Sequence, residues 1–286
     1  GGDKVLAAID DLKEENPTCN YVVEEYDGNN HLEATYLSGP ATGDCAIDFN
    51  YVWWSGKMWR ITAIYPDGSM KMVTDNNITS IAFNSEDNVT YYNKSTGDKS
   101  WMFQWLNEDF LDTLYKQGAD VIDYTKYWNA TMLANTTIST KPAETEETMI
   151  PTTTSPVGLL NSYEYWMSYK NLGAYDSQTA YKNGYLNIGY IWWLLNPYDA
   201  SNVWNVHLIG NGYNDDPTDA YGIRPSIYLK SNITFSAGSG TINNPYRIMG
   251  DKSIGNTNDL LNTRISGEYV KLKNGNNEQV FRIVGF

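Results

Sequence analysis

Apolar and polar residues follow two different periods along this chain. In KVLAAIDDLKEE (residues 4–15), Val5, Leu6, Ile9 and Leu12 recur at helical spacing and Pro17 lies just past the end, which predicts a short helix. Residues 21–48 mix strand-like and turn-rich pieces. Period-two alternation takes over at residues 51–74. There Trp59, Ile61 and Ala63 alternate with Arg60 and Thr62, the turn Tyr65-Pro66-Asp67-Gly68 follows, and Met70 and Met72 flank Lys71 on the other face. This is a hairpin signature. A second helix is predicted behind Ser100 as N-cap, with Met102, Leu106, Phe110 and Leu114 repeating every four residues beside Trp101 and Trp105. An aromatic stripe at this spacing reads as a core face rather than a cofactor box.

Residues 161–172 suggest another short helix, and three strand-like runs come after it: YIWWLLNP, NVWNVHLIG and YGIRPSIYLK. In the first, Trp192 and Trp193 fall on opposite faces, so only one is expected to face the core. In the second, Trp204, Val206 and Leu208 alternate with Asn205 and His207. In the third, Ile227 and Leu229 share a face, and Pro225 puts the strand at an edge or leaves its first residues outside the ladder. Helices and strands together make the expected class α+β.

Between the patterned segments, TKPAETEETMIPTTTSP shifts to Thr, Glu and Pro, so residues 136–156 are expected to be an exposed loop inserted into one domain. One internal echo stands out. Tyr51-Val52, Gly56 and Trp59-Arg60-Ile61 recur as Tyr269-Val270, Gly275 and Phe281-Arg282-Ile283, which reads as the start of a further repeat. The expected division is an N-terminal helix and extension over residues 1–45, a main domain over 46–250, and a linker with the start of a second repeat over 251–286.

Composition narrows the function. The 286 residues include 23 Tyr, 10 Trp and 7 Phe, ample for a core, while charged residues are only 19%. Polarity comes mainly from Asn, Thr, Ser and Gly, as in secreted β-rich proteins. A net charge of −14 argues against nucleic acid and against an anionic membrane surface. No apolar run reaches the ~20 residues that span a bilayer. The Gly1-Gly2 start looks processed or engineered, so any export signal or anchor is expected outside this chain. Cys19 and Cys45 have no metal-type spacing and are expected to form a disulfide, consistent with an extracellular, cell-surface location.

Six pieces in order carry a resemblance: YVWWSGKMWRITAIYPDGSMKMVTDNNIT, SWMFQWLNEDFLDTLY, VGLLNSYEY, YIWWLLNP, YGIRPSIYLKSNIT and SGTINNPYRI. Over residues 46–250 the chain resembles an uncharacterised domain found, often in tandem, in surface proteins of Gram-positive bacteria. Through Trp192, Trp193, Gly222, Arg224 and Pro225 it is also similar to the C-type-lectin-like fold. That likeness implies ligand loops between the Trp-rich strand and the last strands, here residues 196–219. Formylglycine-generating enzymes share that fold but use cysteines in the C-terminal part of their domain, where this chain has none, so their activity is not carried over.

A catalytic reading has little support. His31 and His207 sit beside no recognisable nucleophile motif, and no phosphate-binding, zinc-protease or hydrolase-elbow signature occurs. In the implied loops, Tyr198, Trp204 and Tyr213 are candidates to stack on a ligand, with Trp192, Trp193 and Tyr221 nearby. Asp215, Asp216 and Asp219 are candidate ligand-binding residues and candidate oxygen donors to Ca²⁺, with Asn196, Asp199 and Asn202 available to complete a site. Arg224 is expected to be held by carbonyls or a carboxylate. The expectation is a non-catalytic surface adhesin that binds a glycan or a host or bacterial surface protein. A self-assembling subunit of a pilus-like filament is the alternative, and a secreted glycan-active enzyme comes last.

Overall fold

The computed structural model describes residues 1–114, 120–251, 269–275, 277–282 and 284. Helix α1 (Gly2–Glu15) buries Val5 and Ile9 of the predicted stripe. Strands β1 (Val22–Tyr26) and β2 (Leu32–Leu37) pair antiparallel, and β3 (Tyr51–Trp54), β4 (Lys57–Ile64) and β5 (Met70–Thr74) form the predicted meander. Gly68 takes φ +83° where the chain turns between β4 and β5, a conformation that favours glycine. A short strand, β6 (Thr79–Ala82), follows.

Ser100 caps the next helix, its hydroxyl accepting from the Phe103 N–H at 3.0 Å. Helix α2 (Trp101–Gln104) runs through a π-helical segment, Trp105–Phe110, into α3 (Leu111–Thr113). Met102, Leu106, Phe110 and Leu114 are all buried, as the stripe predicts. A four-residue repeat overshoots an α-helical turn of 3.6 residues, and the wider π turns absorb that drift.

The Thr-rich stretch is exposed over most of residues 136–147, as expected, but it is anchored and joins a sheet in its second half. β8 (Met149–Pro151) pairs with β7 (Tyr127–Asn129), and Ile138, Ile150, Thr152 and Ser155 are buried. Few apolar residues suffice because the chain here wraps Trp128, whose indole N–H donates to the Ser155 carbonyl. Helix α4 (Ser162–Met167) then starts with a reciprocal capping box between Asn161 and Glu164, and α5 (Gln178–Asn183) follows it.

The remaining strands are β9 (Trp192–Pro197), β10 (Val203–Val206), β11 (Gly212–Asp215), β12 (Ala220–Ile223), β13 (Ser226–Leu229), β14 (Phe235–Ala237), β15 (Tyr246–Ile248), β16 (Tyr269–Asn274) and β17 (Asn277–Arg282). An eight-stranded sheet runs β1-β2-β4-β3-β15-β14, with β5 on the other side of β4 and β13 beyond it. β13 begins right after Pro225, in keeping with the predicted break in the ladder. A five-stranded sheet has the order β11-β10-β9-β12-β6. The chain is therefore α+β, with open sheets and few helices. β1 and β2 extend the same sheet as the 51–74 meander, so the N-terminal segment packs on the main core.

Two strand expectations need correction. Trp192 and Trp193 are both fully buried, because β9 is the middle strand of its sheet and is covered on each face. Tyr165 and Arg224 meet Trp192, while Phe83 and Tyr221 meet Trp193. β10 stops at Val206, which leaves Leu208 exposed in a turn, and Asn205 is buried rather than solvated. At the C-terminal end, β16 and β17 form a two-stranded hairpin, as the echo of the 51–61 segment predicts, whereas Ile283 and residues 252–268 lie outside the described residues. Among the described residues no helix is long and apolar enough to cross a membrane.

Cys19 and Cys45 form the expected disulfide, closing a separation of 26 residues. By the chain-entropy relation such a loop is worth about 3–4 kcal/mol. Cys45→Ser is expected to lower the unfolding free energy by about that amount in denaturant titration. An unchanged midpoint would mean the bridge contributes nothing.

Candidate functional site

Five tyrosines from separate parts of the sequence converge on one cleft of about 360 Å³. They are Tyr36 from β2, Tyr65 from the turn after β4, Tyr127 from β7, Tyr163 from α4 and Tyr228 from β13. The Thr-rich segment closes one side with Lys141, Pro142, Glu144 and Met149. Tyr127 is 50% exposed and forms part of the open wall.

Under the cleft lies a buried ion pair. Lys71 is only 2% exposed, and its Nζ donates to Glu164 Oε1 at 2.5 Å and to the Tyr228 hydroxyl at 3.2 Å. The ammonium also sits 4.5 Å from the centre of the Trp128 ring. Gly158 is what lets Trp128 pack so close, since a Cβ there would stand 2.6 Å from the indole. The second oxygen of Glu164, Oε2, accepts from the Asn161 N–H at 2.9 Å. At the rim, Lys141 joins Glu33 at 2.5 Å and Glu144 at 3.4 Å, and Lys126 joins Asp67 at 2.7 Å.

Burial pushes the hydroxyls of Tyr36, Tyr65, Tyr163 and Tyr228 above their ordinary value. Glu164 reinforces the rise at Tyr36, Tyr65 and Tyr228, and Glu25 does so at Tyr163. These phenols thus stay protonated through neutral pH, and that of Tyr228 already donates to the Tyr127 carbonyl at 2.9 Å. Burial pulls the Lys71 ammonium down, and Glu164 opposes the fall. Such an arrangement offers aromatic faces and oriented polar groups. The Glu33, Glu144 and Glu164 carboxylates each face a lysine, so none stands ready as an unpaired acid or base.

The residues singled out from sequence lie elsewhere. Trp204 is 1% exposed and gives its indole N–H to the Leu133 carbonyl at 2.6 Å, so its ring belongs to the core. Tyr198 is half-buried with its ring edge-on to Trp204 at 5.0 Å. Tyr213 is 49% exposed and leans on His207 at 5.4 Å. Asp215 accepts from the Asn205 amide at 2.9 Å. Asp216 accepts from the hydroxyl and the N–H of Thr218, and these bonds hold its carboxyl below the ordinary value. Asp219 receives the Tyr221 hydroxyl at 3.5 Å. Asp199 closes its own turn with Ser201 and Asn202, and Asn196 is buried against Ser162 and Thr131. Among the described residues no group of three or more His, Cys, Asp or Glu side chains is placed to hold a metal ion. Arg224 is bonded to the carbonyls of Thr74, Leu186 and Asp75, as expected from sequence.

The family described as a domain of unknown function (DUF6273) matches residues 68–231, which takes in β5, the Thr-rich wall, α4 and β13. No curated protein and no solved structure matches the chain.

Proposed function

For a chain that belongs to the DUF6273 family, we propose a non-catalytic recognition module, displayed on the outer surface of a Gram-positive bacterium, that grips a glycan or a surface protein in its tyrosine-lined cleft. The cleft carries this reading. It gathers five phenol rings and a few oriented polar groups in one concavity, the usual make-up of a ligand site. The paired state of its carboxylates favours binding over hydrolysis, because glycoside cleavage needs one carboxyl free to donate a proton and another free to attack or activate water. The Cys19–Cys45 bridge suits an oxidising location. A C-type-lectin-like relationship remains part of the proposal, supported by the Trp-rich β9 lying beside β12 and its Gly222-Ile223-Arg224-Pro225 run. In this reading the ligand meets the cleft rather than the 196–219 loops.

An array of glycans, mucins and extracellular proteins tests the reading, run with calcium and then with chelator. Tyr127→Ala is expected to weaken binding about tenfold, the cost of one lost stacking contact of about 1.4 kcal/mol, while Tyr213→Ala leaves it unchanged. Loss in Tyr213→Ala alone, or loss on chelation, would return the site to the Asp215–Asp219 loop.

The filament alternative has its own observation: Leu272, Val280 and Phe281 of the C-terminal hairpin are exposed. Sedimentation that rises with concentration, and is suppressed by Phe281→Ser, is the outcome that reading requires.

A further inference from the structure

Resting on the cleft as the ligand site, we infer that its ligand is a neutral hexose residue of a glycan rather than an acidic or a basic one. The charge pattern makes the choice. Glu33, Glu144 and Glu164 line the cleft beside Lys126 and Lys141, and every one of these five charges already has an opposite partner: Lys141 for Glu33 and Glu144, Lys71 for Glu164, Asp67 for Lys126. A sialylated or sulfated sugar would have to pull Lys141 or Lys126 away from its carboxylate, and a cationic ligand would compete with the same lysines for the glutamates. A neutral ligand disturbs none of these pairs.

Size permits it. At roughly 30 Å³ per water, a cleft of about 360 Å³ equals about a dozen water volumes, ample for a hexose ring. The apolar face of a pyranose suits the half-exposed Tyr127 ring.

Glu164 then sets specificity. Each of its oxygens takes one hydrogen bond from the protein, Oε1 from Lys71 and Oε2 from the Asn161 N–H, and each keeps a further lone pair. Its side chain is 11% exposed and lines the cleft. A carboxylate fixed from two sides accepts a sugar hydroxyl without first having to be ordered, so it rewards a hydroxyl at one ring position. The Tyr36 phenol, which also lines the cleft, is placed to donate to a further hydroxyl, whereas the Tyr163 phenol is turned to Glu25.

Saturation-transfer NMR on the intact chain tests the inference with three panels: glucose, galactose and mannose with their neutral disaccharides; glucuronic acid and sialyllactose; and glucosamine with short oligolysine. The expected result is transfer to members of the neutral panel only, with a low-millimolar Kd as befits a ligand of about a dozen heavy atoms. That Kd is expected to move by less than about twofold between low and high salt. Tyr127→Phe keeps the ring and is expected to keep binding, whereas Tyr127→Ala loses it. Transfer confined to the acidic or the basic panel, and lost in Tyr127→Ala, would overturn the neutral-sugar inference and leave the cleft as the site. No transfer to any saccharide would overturn the inference while leaving a protein ligand for the cleft. Saccharide binding that survives Tyr127→Ala and disappears in Tyr213→Ala would overturn both.

Discussion

Replacing Glu164 by Gln is expected to lower the unfolding free energy by about 3–5 kcal/mol, the cost of leaving a buried charge without its partner. The substitution is nearly isosteric, and Gln still serves at the third position of a capping box, so α4 keeps its start. What is lost is the anion 2.5 Å from Lys71. Lys71 itself limits the damage, because an unpaired buried ammonium gives up its proton. Giving up that proton at neutral pH costs an ordinary lysine about 5 kcal/mol, which bounds the penalty. The sign of the pH dependence follows. In the variant the folded-state pKa of Lys71 lies below its unfolded value, so between the two the unfolded chain binds more protons and stability rises with pH. The deficit against wild type should therefore shrink from neutral pH toward pH 10. Adding Lys71→Met to Glu164→Gln should recover most of the loss, since a thioether suits the space between Trp128 and Tyr228. Denaturant titrations across pH check all three statements. A pH-independent deficit would mean the ion pair is not what the substitution removed.

Trp204→Ala is the second large effect, also expected at about 3–5 kcal/mol of stability. The ring fills space beside Tyr198 and Gly212, and its N–H satisfies the Leu133 carbonyl. Removing it opens a cavity and orphans a buried acceptor. Trp204→Phe keeps most of the volume, so it is expected to cost clearly less in thermal and denaturant unfolding. Neither change should alter ligand binding measured well below the unfolding transition. A chain that kept its stability but lost binding in Trp204→Ala would restore this residue to a ligand site.

These two residues also mark where sequence reading succeeds and fails. Local periodicity was enough for α1, for the β3–β5 meander and for the Met102–Leu114 stripe, because each buries one face against a single core. The Cys19–Cys45 pair was legible from composition and the absence of a metal spacing. Burial on both faces of a strand was not. Alternation assigns Trp192 and Trp193 to opposite sides, yet it carries no information on whether α4 covers one side and Phe83 the other. For the same reason the alternation at Trp204 carries no sign that the Leu133 carbonyl caps its indole.

The cleft left no local trace at all. Tyr36, Tyr65, Tyr127, Tyr163 and Tyr228 are spread from the N-terminal extension to the far end of the main domain, and in a chain with 23 tyrosines no one of them stands out. Lys71 alternates with Met70 and Met72 like any solvated strand residue, and only the tertiary fold sets it against Glu164, 93 positions away. The Thr-rich segment misled in another way. Its composition is that of a solvated loop, but Ile138 and Ile150 anchor it, and what lies between them becomes a wall of the cleft.

Photo-crosslinking tests the central claim most directly. A benzophenone amino acid replaces Tyr127 in one sample and Tyr213 in another, and each is irradiated with the strongest ligand from the array. The account predicts an adduct from position 127 and none from position 213. An adduct from position 213 alone would contradict it and place recognition on the β10–β11 loops.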